Sequence, residues 1–313
     1  MIAVDWGTSS LRLYRLDAAG MVRERRRSDD GVLASAGRFG EVLARGIDGW
    51  DDEVILLCGM IGGRGGWQEV SYLDCPAGLA ELADGMQRIQ PAGFETRSMW
   101  LMPGLRDLLS DSVPDVMRGE ETQLAALLGN LAVGSHLVCL PGTHSKWVSV
   151  RDGRIQRIAT AMTGELYAVL RQHSILGRLM PADDTRFDAF AFDAGLRRSE
   201  QAGGMLHHLF GVRTVGLFQQ IAEPALPSYL SGLLIGHELR ASGAFSQKPR
   251  PAQVHLVGND RLLASYAHAL TSLGIGVQRH PEDLAAHGLH ALWLKRTATR
   301  AADAHSTTRE HVG

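Results

Sequence analysis

The sequence predicts an α/β protein built from two similar domains, and three observations predict it. Its 313 residues exceed one ordinary hydrophobic core. Strand-like apolar runs alternate with stretches of helical period along the whole chain. The opening hairpin, VDWGTSSLRLYRLD at 4–17, is written again as CLPGTHSKWVSVRD at 139–152. Laying residue 4 on 139 aligns Gly7 with Gly142, Thr8 with Thr143, Ser10 with Ser145, Leu13 with Val148 and Asp17 with Asp152. A repeat at that spacing is too long for a solenoid and fits duplicated domains. Two unrelated hairpins sharing corner residues are the alternative.

The elements follow in order. IAVD, LRLYRLD and MVRERR read as three strands joined by a tight corner and an AAG turn. The RERRR run (23–27) is followed at once by SDD, which marks a solvated strand rather than a binding patch. A helical stretch spans about 37–49, EVILLC (53–58) is a buried strand, and the glycine-rich loop GMIGGRGGW follows it. PAGLAELADGMQRI reads as a helix, SMWLMPGL as a short strand and loop, and EETQLAALLGNL as a helix leading into the second hairpin. Beyond it, ELYAVLRQHSILGRLM, AFDAGLRRSEQAGGMLHHLFGVR and SYLSGLLIGHELRA have helical spacing. SQKPRPAQ is a surface loop, VHLVGN a buried strand and RLLASYAHALTSLG a helix. TRAADAHSTTREHVG has no apolar period and reads as a disordered tail.

Composition narrows the function classes. With 45% apolar and 21% charged residues the chain is ordinary for a globular protein. A net charge of −2 offers no field for nucleic acid or a membrane surface. No apolar run approaches the roughly 20 residues needed to span a bilayer, and no leader is expected before the first strand. Cys58, Cys75 and Cys139 are few, odd in number and widely spaced, so reduced, buried thiols in a cytoplasmic protein are expected. Nothing in the sequence sets the oligomeric state.

The two corners carry the chemistry. A hairpin tip rich in Gly, Ser and Thr presents free backbone N–H groups and hydroxyls, a donor set suited to phosphate. Gly7, Thr8, Ser9 and Ser10 form the first set, and Gly142, Thr143, His144 and Ser145 the second. Arg12 and Lys146, just inside the following strands, can neutralise phosphate charge. Asp5 fits either a Mg²⁺-holding carboxylate or a turn cap. Glu120 and Glu121 open a helix after a glycine, where they can cap it, or accept the proton of an attacking hydroxyl.

Other chemistries fail on spacing. There is no G-x-x-x-x-G-K-[ST], and the GMIGGRGGW glycines do not fall as G-x-G-x-x-G. His144 and Ser145 are neighbours on a strand and point to opposite faces, a poor nucleophile–base pair. No H-x-x-x-H metal pair occurs, and His207–His208 reads as surface or core filler.

These residues resemble the sugar-kinase/actin-type ATPase superfamily. VDWGTSSLRLY is similar to its first phosphate loop and LPGTHSKWVSV to its second. RGEETQLAALLG resembles the stretch that carries the catalytic aspartate, with Glu120–Glu121 in its place. Counting back from Gly129 puts Glu121 nearer that position. VHLVGND resembles the adenosine-binding strand and loop, with Gly258 and Asn259 at its tip. Within the superfamily, DWGTSSLR, CGMIGGRGGWQEVSYLDCPAG, DVMRGEETQ, LPGTHSKWV and MTGELYAVLRQHSIL, in that order, resemble the 2-keto-3-deoxygalactonate kinase family.

The resemblance implies two duplicated ribonuclease H-like (actin/hexokinase-type) domains, 1–130 and 131–298, with nucleotide bound between them and a tail at 299–313. It implies ATP and Mg²⁺, and phosphorylation of a sugar acid at its C6 hydroxyl with Glu121 or Glu120 as base. Arg64 is then the candidate partner of the substrate carboxylate, with Trp67 and Tyr72 as walls. Another small sugar or sugar acid as substrate, or a non-catalytic ATP-binding sensor, are the alternatives.

Overall fold

In the computed structural model, residues 1–108, 113–131, 133–182, 186–242, 252–281 and 283–310 are described. The chain is mixed α/β and divides into two compact units. The first comprises Met1–Ser135, Val150–Ile158 and the C-terminal segment from Pro281; the second comprises His136–Ser149 and Ala159–His280.

The first unit opens with the expected meander, β1 (Ile2–Trp6), β2 (Leu11–Leu16) and β3 (Val22–Ser28). The next strands are β4 (Val54–Gly59), β5 (Tyr72–Asp74), β6 (Ala77–Gly78), β7 (Gln87–Ile89), β8 (Ser98–Leu101), β9 (Gly104–Asp107) and β10 (Asp115–Met117). Its main sheet has the order β3-β2-β1-β4-β8-β7, antiparallel through the meander and parallel across β1, β4 and β8. A smaller sheet runs β10-β9-β5. Strand alternation sends Ile2, Val4, Trp6, Leu11, Leu13, Ile55 and Leu57 to one face, where α1 (Phe39–Gly46) adds Phe39, Val42 and Leu43. β3 is the solvated edge expected of RERRR: Arg26 donates to the carbonyls of Gly46 and Asp48 and stacks on Trp50, and Arg25 pairs with Asp283.

Two helices, α2 (Leu79–Asp84) and α3 (Glu120–Leu128), complete the N-terminal part. The stretch read as one helix after 76 is thus α2 flanked by β6 and β7. Gly85 ends α2 with its would-be side chain hard against Leu73 and Pro103, and alternation resumes at Gln87.

In the second unit run β11 (Ser135–Leu140), β12 (Ser145–Arg151) and β13 (Arg154–Ala161), the second meander. β14 (Gln253–Val257) and β15 (Gly276–His280) extend it in the order β15-β14-β11-β12-β13, with β11, β14 and β15 parallel. The tip of the β12–β13 hairpin belongs to the first unit, where Arg154 and Ile155 pair with β6. The helices here are α4 (Thr163–His173), α5 (Ala189–Arg198), α6 (Gly204–Leu217), α7 (Leu226–Ala241) and α8 (Asp260–Ser272). Phe192, Leu196, Ile235, Leu239, Leu263 and Leu270 pack with Cys139, Trp147, Val254 and Leu256 of the sheet. Of the paired histidines, His207 is exposed and His208 fully buried. The SQKPRPAQ loop lies largely outside the described residues.

The last helix, α9 (Leu284–Glu310), corrects two expectations. Residues from Pro281 onward, placed with the second domain by sequence, belong to the first unit, where α9 packs on α2, α3, β1 and β4. Helix also continues through 299–310, where a tail was expected, in a segment free of Gly and Pro. All three cysteines are buried and unpaired, as expected. No described helix is long and apolar enough to cross a membrane.

The α3–α9 contact has no slack. A Cβ at Gly288 would lie 1.8 Å from the Thr122 carbonyl oxygen, so Gly288→Ala must separate the helices. That overpacking is expected to cost on the order of 2–3 kcal/mol, read as a lower midpoint in urea unfolding. An unchanged midpoint contradicts the packing described.

Candidate active site

In the first unit three backbone ends meet. Trp6 ends β1, Gly59 ends β4 in register with it, and Gly119 precedes α3. Gly59 has φ of +90°, and a Cβ there would lie 2.7 Å from the Trp6 carbonyl oxygen. A Cβ on Gly119 would lie 3.2 Å from the Gly59 Cα. Only residues without side chains allow this approach, and it delivers the start of α3 to the tip of the first hairpin's parent strand.

The corner itself is closed by Gly7, whose N–H donates to the Ser10 carbonyl at 2.9 Å. Thr8 and Ser9 are exposed and Ser10 is half-buried. A following loop is tied to it, Val32 N–H donating to Gly7 O and Leu33 N–H to Thr8 O. Trp6 anchors the corner from below, with its indole N–H on the Asp30 carbonyl and its ring edge-on to Phe39 and Trp67.

Asp5 and Arg12 face each other across β1 and β2, and Arg12 Nη1 donates to Asp5 Oδ2 at 2.9 Å. Burial pushes the Asp5 carboxyl up, against the pull of the Arg12 guanidinium. The two residues assigned separately to metal and to phosphate are therefore a pair. Beside Asp5 in register lies Cys58, whose thiol is driven well up by burial and by the charges of Asp5 and Glu121. That thiol is inert.

Of the two glutamates, Glu121 is the buried one, 1% exposed, and Glu120 is half-buried. Glu121 Oε2 accepts from the Gly119 N–H at 2.6 Å, and Oε1 from the Thr122 hydroxyl at 3.0 Å. Glu120 Oε2 accepts from the Arg118 N–H at 3.1 Å. Burial raises the Glu121 carboxyl to about 8, with the Glu120 charge adding and the hydrogen bonds opposing. A carboxylate ionising close to neutrality in a dry site is suited to accepting a proton from an alcohol.

The glycine-rich loop holds the expected substrate residues unequally. Arg64 is exposed on it. Trp67 belongs chiefly to the core, within ring contact of Trp6, Phe39 and Phe94. Tyr72, half-buried on β5, lies under Arg118, whose guanidinium carbon is 4.3 Å from the ring centre. Arg118 stands inside the quoted DVMRGEETQ block, but only its burial distinguishes it from a solvated arginine.

In the second unit the corner exposes Thr143 and His144, the latter bonded to Glu165, whose own N–H donates to Thr143 O. Gly142 is half-buried. Ser145 and Lys146 turn inward instead: Ser145 Oγ is 2.8 Å from the Tyr266 hydroxyl, and Lys146 Nζ donates to Thr160 Oγ1. β12 is a central strand buried on both faces, so both side chains are enclosed. Behind them Glu238 accepts from the Trp147 indole at 2.7 Å and from Tyr266 at 2.6 Å, and burial raises its carboxyl.

Next to this corner is a cavity of 980 Å³ lined entirely by second-unit residues. Gly142, Thr163 and Gly164 border it, with apolar walls from Phe187, Leu234 and Leu262 and polar groups including Asp193, Ser265 and His268. Sequence reasoning missed these helix residues, which follow no local motif. Gly258 and Asn259 are not part of its lining. Gly258, φ +146°, lies at the end of β14 where a Cβ would be 3.3 Å from Pro141 O, and Asn259 caps α8 by accepting from Arg261 N–H.

Comparison with known proteins decides the family. The model of the 2-keto-3-deoxy-galactonokinase family matches residues 5–292. The chain belongs to that family. It is 39% identical to the probable 2-dehydro-3-deoxygalactonokinase of Rhizobium meliloti (strain 1021), over 88% of this chain and 90% of that one. It is 34% identical to the 2-dehydro-3-deoxygalactonokinase of Escherichia coli (strain K12), over 88% and 91%. A crystal structure from Sinorhizobium meliloti, provisionally assigned as a 2-dehydro-3-deoxygalactonokinase, superposes with a TM-score of 0.84 at 39% identity, covering 93% of this chain and 97% of that one. Family membership agrees with the kinase resemblance read from the five sequence blocks.

The Glu121 environment has a thermodynamic signature. A carboxyl raised on folding stabilises the native state below its unfolded pKa, and that contribution is lost as pH rises through about 8. Glu121→Gln keeps an acceptor for Gly119 and removes the titration. Its melting temperature should therefore rise relative to the parent between pH 5 and pH 9, checked by scanning calorimetry. Parallel pH profiles contradict the burial assignment.

Proposed function

We propose that the chain transfers the γ-phosphoryl group of ATP to the C6 hydroxyl of 2-dehydro-3-deoxy-D-galactonate, a step in galactonate catabolism. Membership of the 2-keto-3-deoxy-galactonokinase family supports the substrate, and the buried Glu121 at the start of α3 carries the chemistry. Glu121 accepts the proton of the C6 hydroxyl as that oxygen approaches the γ-phosphorus, with Glu120 holding the backbone turn before it. No covalent enzyme intermediate is needed, so the protein acts by placement and by charge.

Each unit carries a corner with donors suited to phosphate oxygens, Gly7–Ser10 in the first and Gly142–His144 in the second. Lys146 and Arg12 act behind them: Arg12 pairs with Asp5 and opposes the upward push of burial on its carboxyl, and Lys146 donates to Thr160 on the next strand. The 980 Å³ cavity beside Gly142 is large enough for a nucleoside and supports placing adenosine there, with Gly258 lying against Pro141 and Asn259 capping α8, whose residues line it.

The donor set fits Mg²⁺ in the form kinases use it. Among the described residues no cluster of three or more His, Cys, Asp or Glu forms a closed metal cage. A Mg²⁺ carried by triphosphate needs only one or two protein carboxylates, and Asp5 provides one. When bound, the ion neutralises developing charge on the phosphates.

We also infer that the two units are copies of one ribonuclease H-like domain of actin/hexokinase type. Their sheets share one strand order, β3-β2-β1-β4-β8 against β13-β12-β11-β14-β15. Gly59 against Trp6 O is matched by Gly258 against Pro141 O, and Trp6 and Pro141 are equivalent positions of the internal repeat.

The test is ADP release with 2-dehydro-3-deoxygalactonate beside its gluconate epimer and a panel of neutral sugars. The galactonate is expected to have the highest kcat/KM. Glu121→Gln should lower kcat by about 10²–10⁴-fold while ATP binding persists. Near-normal turnover in that variant removes Glu121 from the mechanism.

A further inference from the structure

Arg118 is a buried cation, two of whose nitrogens are without a hydrogen-bond partner among the described residues. It is 8% exposed, and its Nη2 donates to the Val70 carbonyl at 2.6 Å. Its guanidinium covers the Tyr72 ring. Nε and Nη1 have no acceptor among the described residues, although both are enclosed. A buried guanidinium with unmet N–H groups is costly, and the arrangement is stable chiefly if an anionic group completes it.

The glycine-rich loop lays bare backbone directly against this guanidinium. A Cβ on Gly62 would lie 3.3 Å from Arg118 Nη1, and one on Gly63 would lie 3.4 Å from Arg118 Cδ. Any larger residue at Gly62 would press on Nη1. Arg118 also precedes Gly119, Glu120 and Glu121 directly in the chain, so one short segment carries both a cation and the buried carboxylate at the start of α3.

We propose that Arg118, rather than the exposed Arg64, binds the carboxylate of the sugar-acid substrate and is the residue that makes the enzyme select acids over neutral ketoses. The proposal rests on the kinase reading given above. Its physical basis is dielectric: a guanidinium enclosed by Val70, Tyr72 and the Gly62–Gly63 backbone attracts a carboxylate far more strongly than a solvated one on a loop. Gly62 is then the residue whose missing side chain leaves the position of Nη1 undisturbed.

The experiment compares the wild type with Arg118→Met, Arg118→Lys, Gly62→Ala and Arg64→Met, each checked for folding by thermal melting. Each is assayed for ADP release with 2-dehydro-3-deoxygalactonate and with the neutral analogue carrying CH₂OH in place of the carboxylate. Arg118→Met should raise KM for the acid on the order of 10²-fold, with KM for ATP and kcat/KM for the neutral analogue unchanged. Arg118→Lys should fall between, Gly62→Ala should raise KM for the acid with the charge intact, and Arg64→Met should match the wild type. Should Arg118→Met not fold, Arg118→Lys and Gly62→Ala decide the matter. Folded variants with wild-type KM for the acid overturn the proposal, as does a loss shared equally by the neutral analogue. A wild type that releases no ADP with the acid removes the kinase reading and this proposal together; a working wild type with insensitive variants removes the proposal alone.

Discussion

The first unit depends on one close approach, that of Gly59 to the Trp6 carbonyl on one side and to Gly119 on the other. Backbone meets backbone there without side chains between, so strand β1, strand β4 and helix α3 end at one point. The hairpin corner is held by this contact and by the Trp6 ring beneath it. Glu121 is held by the same contact, because Gly119 supplies both the approach and the N–H that its carboxylate accepts. Moving any of the three strand and helix ends apart would admit water to the carboxylate and return it to an ordinary pKa.

That geometry explains why two adjacent glutamates differ. Glu120 lies at the rim, bonded to the Arg118 N–H, while Glu121 turns into the junction against Thr122 and Cys58. The first is a turn-forming side chain, and the second a desolvated group whose protonation is open to change near neutral pH. Sequence position alone leaves them equivalent. Burial separates them.

Much of the fold is legible in the sequence, for physical reasons that also mark where legibility ends. Both meanders, the buried β4 and β14, and the helices α3, α7 and α8 follow from apolar period and turn residues, which are local. The short α2 and the return of α9 to the first unit are not local: α2 stops where Gly85 meets Leu73 and Pro103, and α9 docks through Gly288 on Thr122. The same division runs through the site. Gly7, Thr8, Ser9, Thr143 and His144 are at open corners because glycine–hydroxyl turns dictate that. Ser145 and Lys146 look identical in sequence terms yet point inward, because the strand they begin is covered on both faces. The burial of Arg118 is likewise invisible until Val70, Tyr72 and Gly62 are seen around it.

The junction of Trp6, Gly59 and Gly119 keeps Glu121 dry, and the proposed mechanism makes that carboxylate the proton acceptor. The pH dependence of kcat/KM for the sugar acid tests this most directly, since it reports ionisation of the free enzyme. The rate is expected to climb with pH along a limb near 8, with that limb abolished in Glu121→Gln. A limb at the ordinary carboxylate value of about 4.3, or one that survives unchanged in the variant, would contradict it.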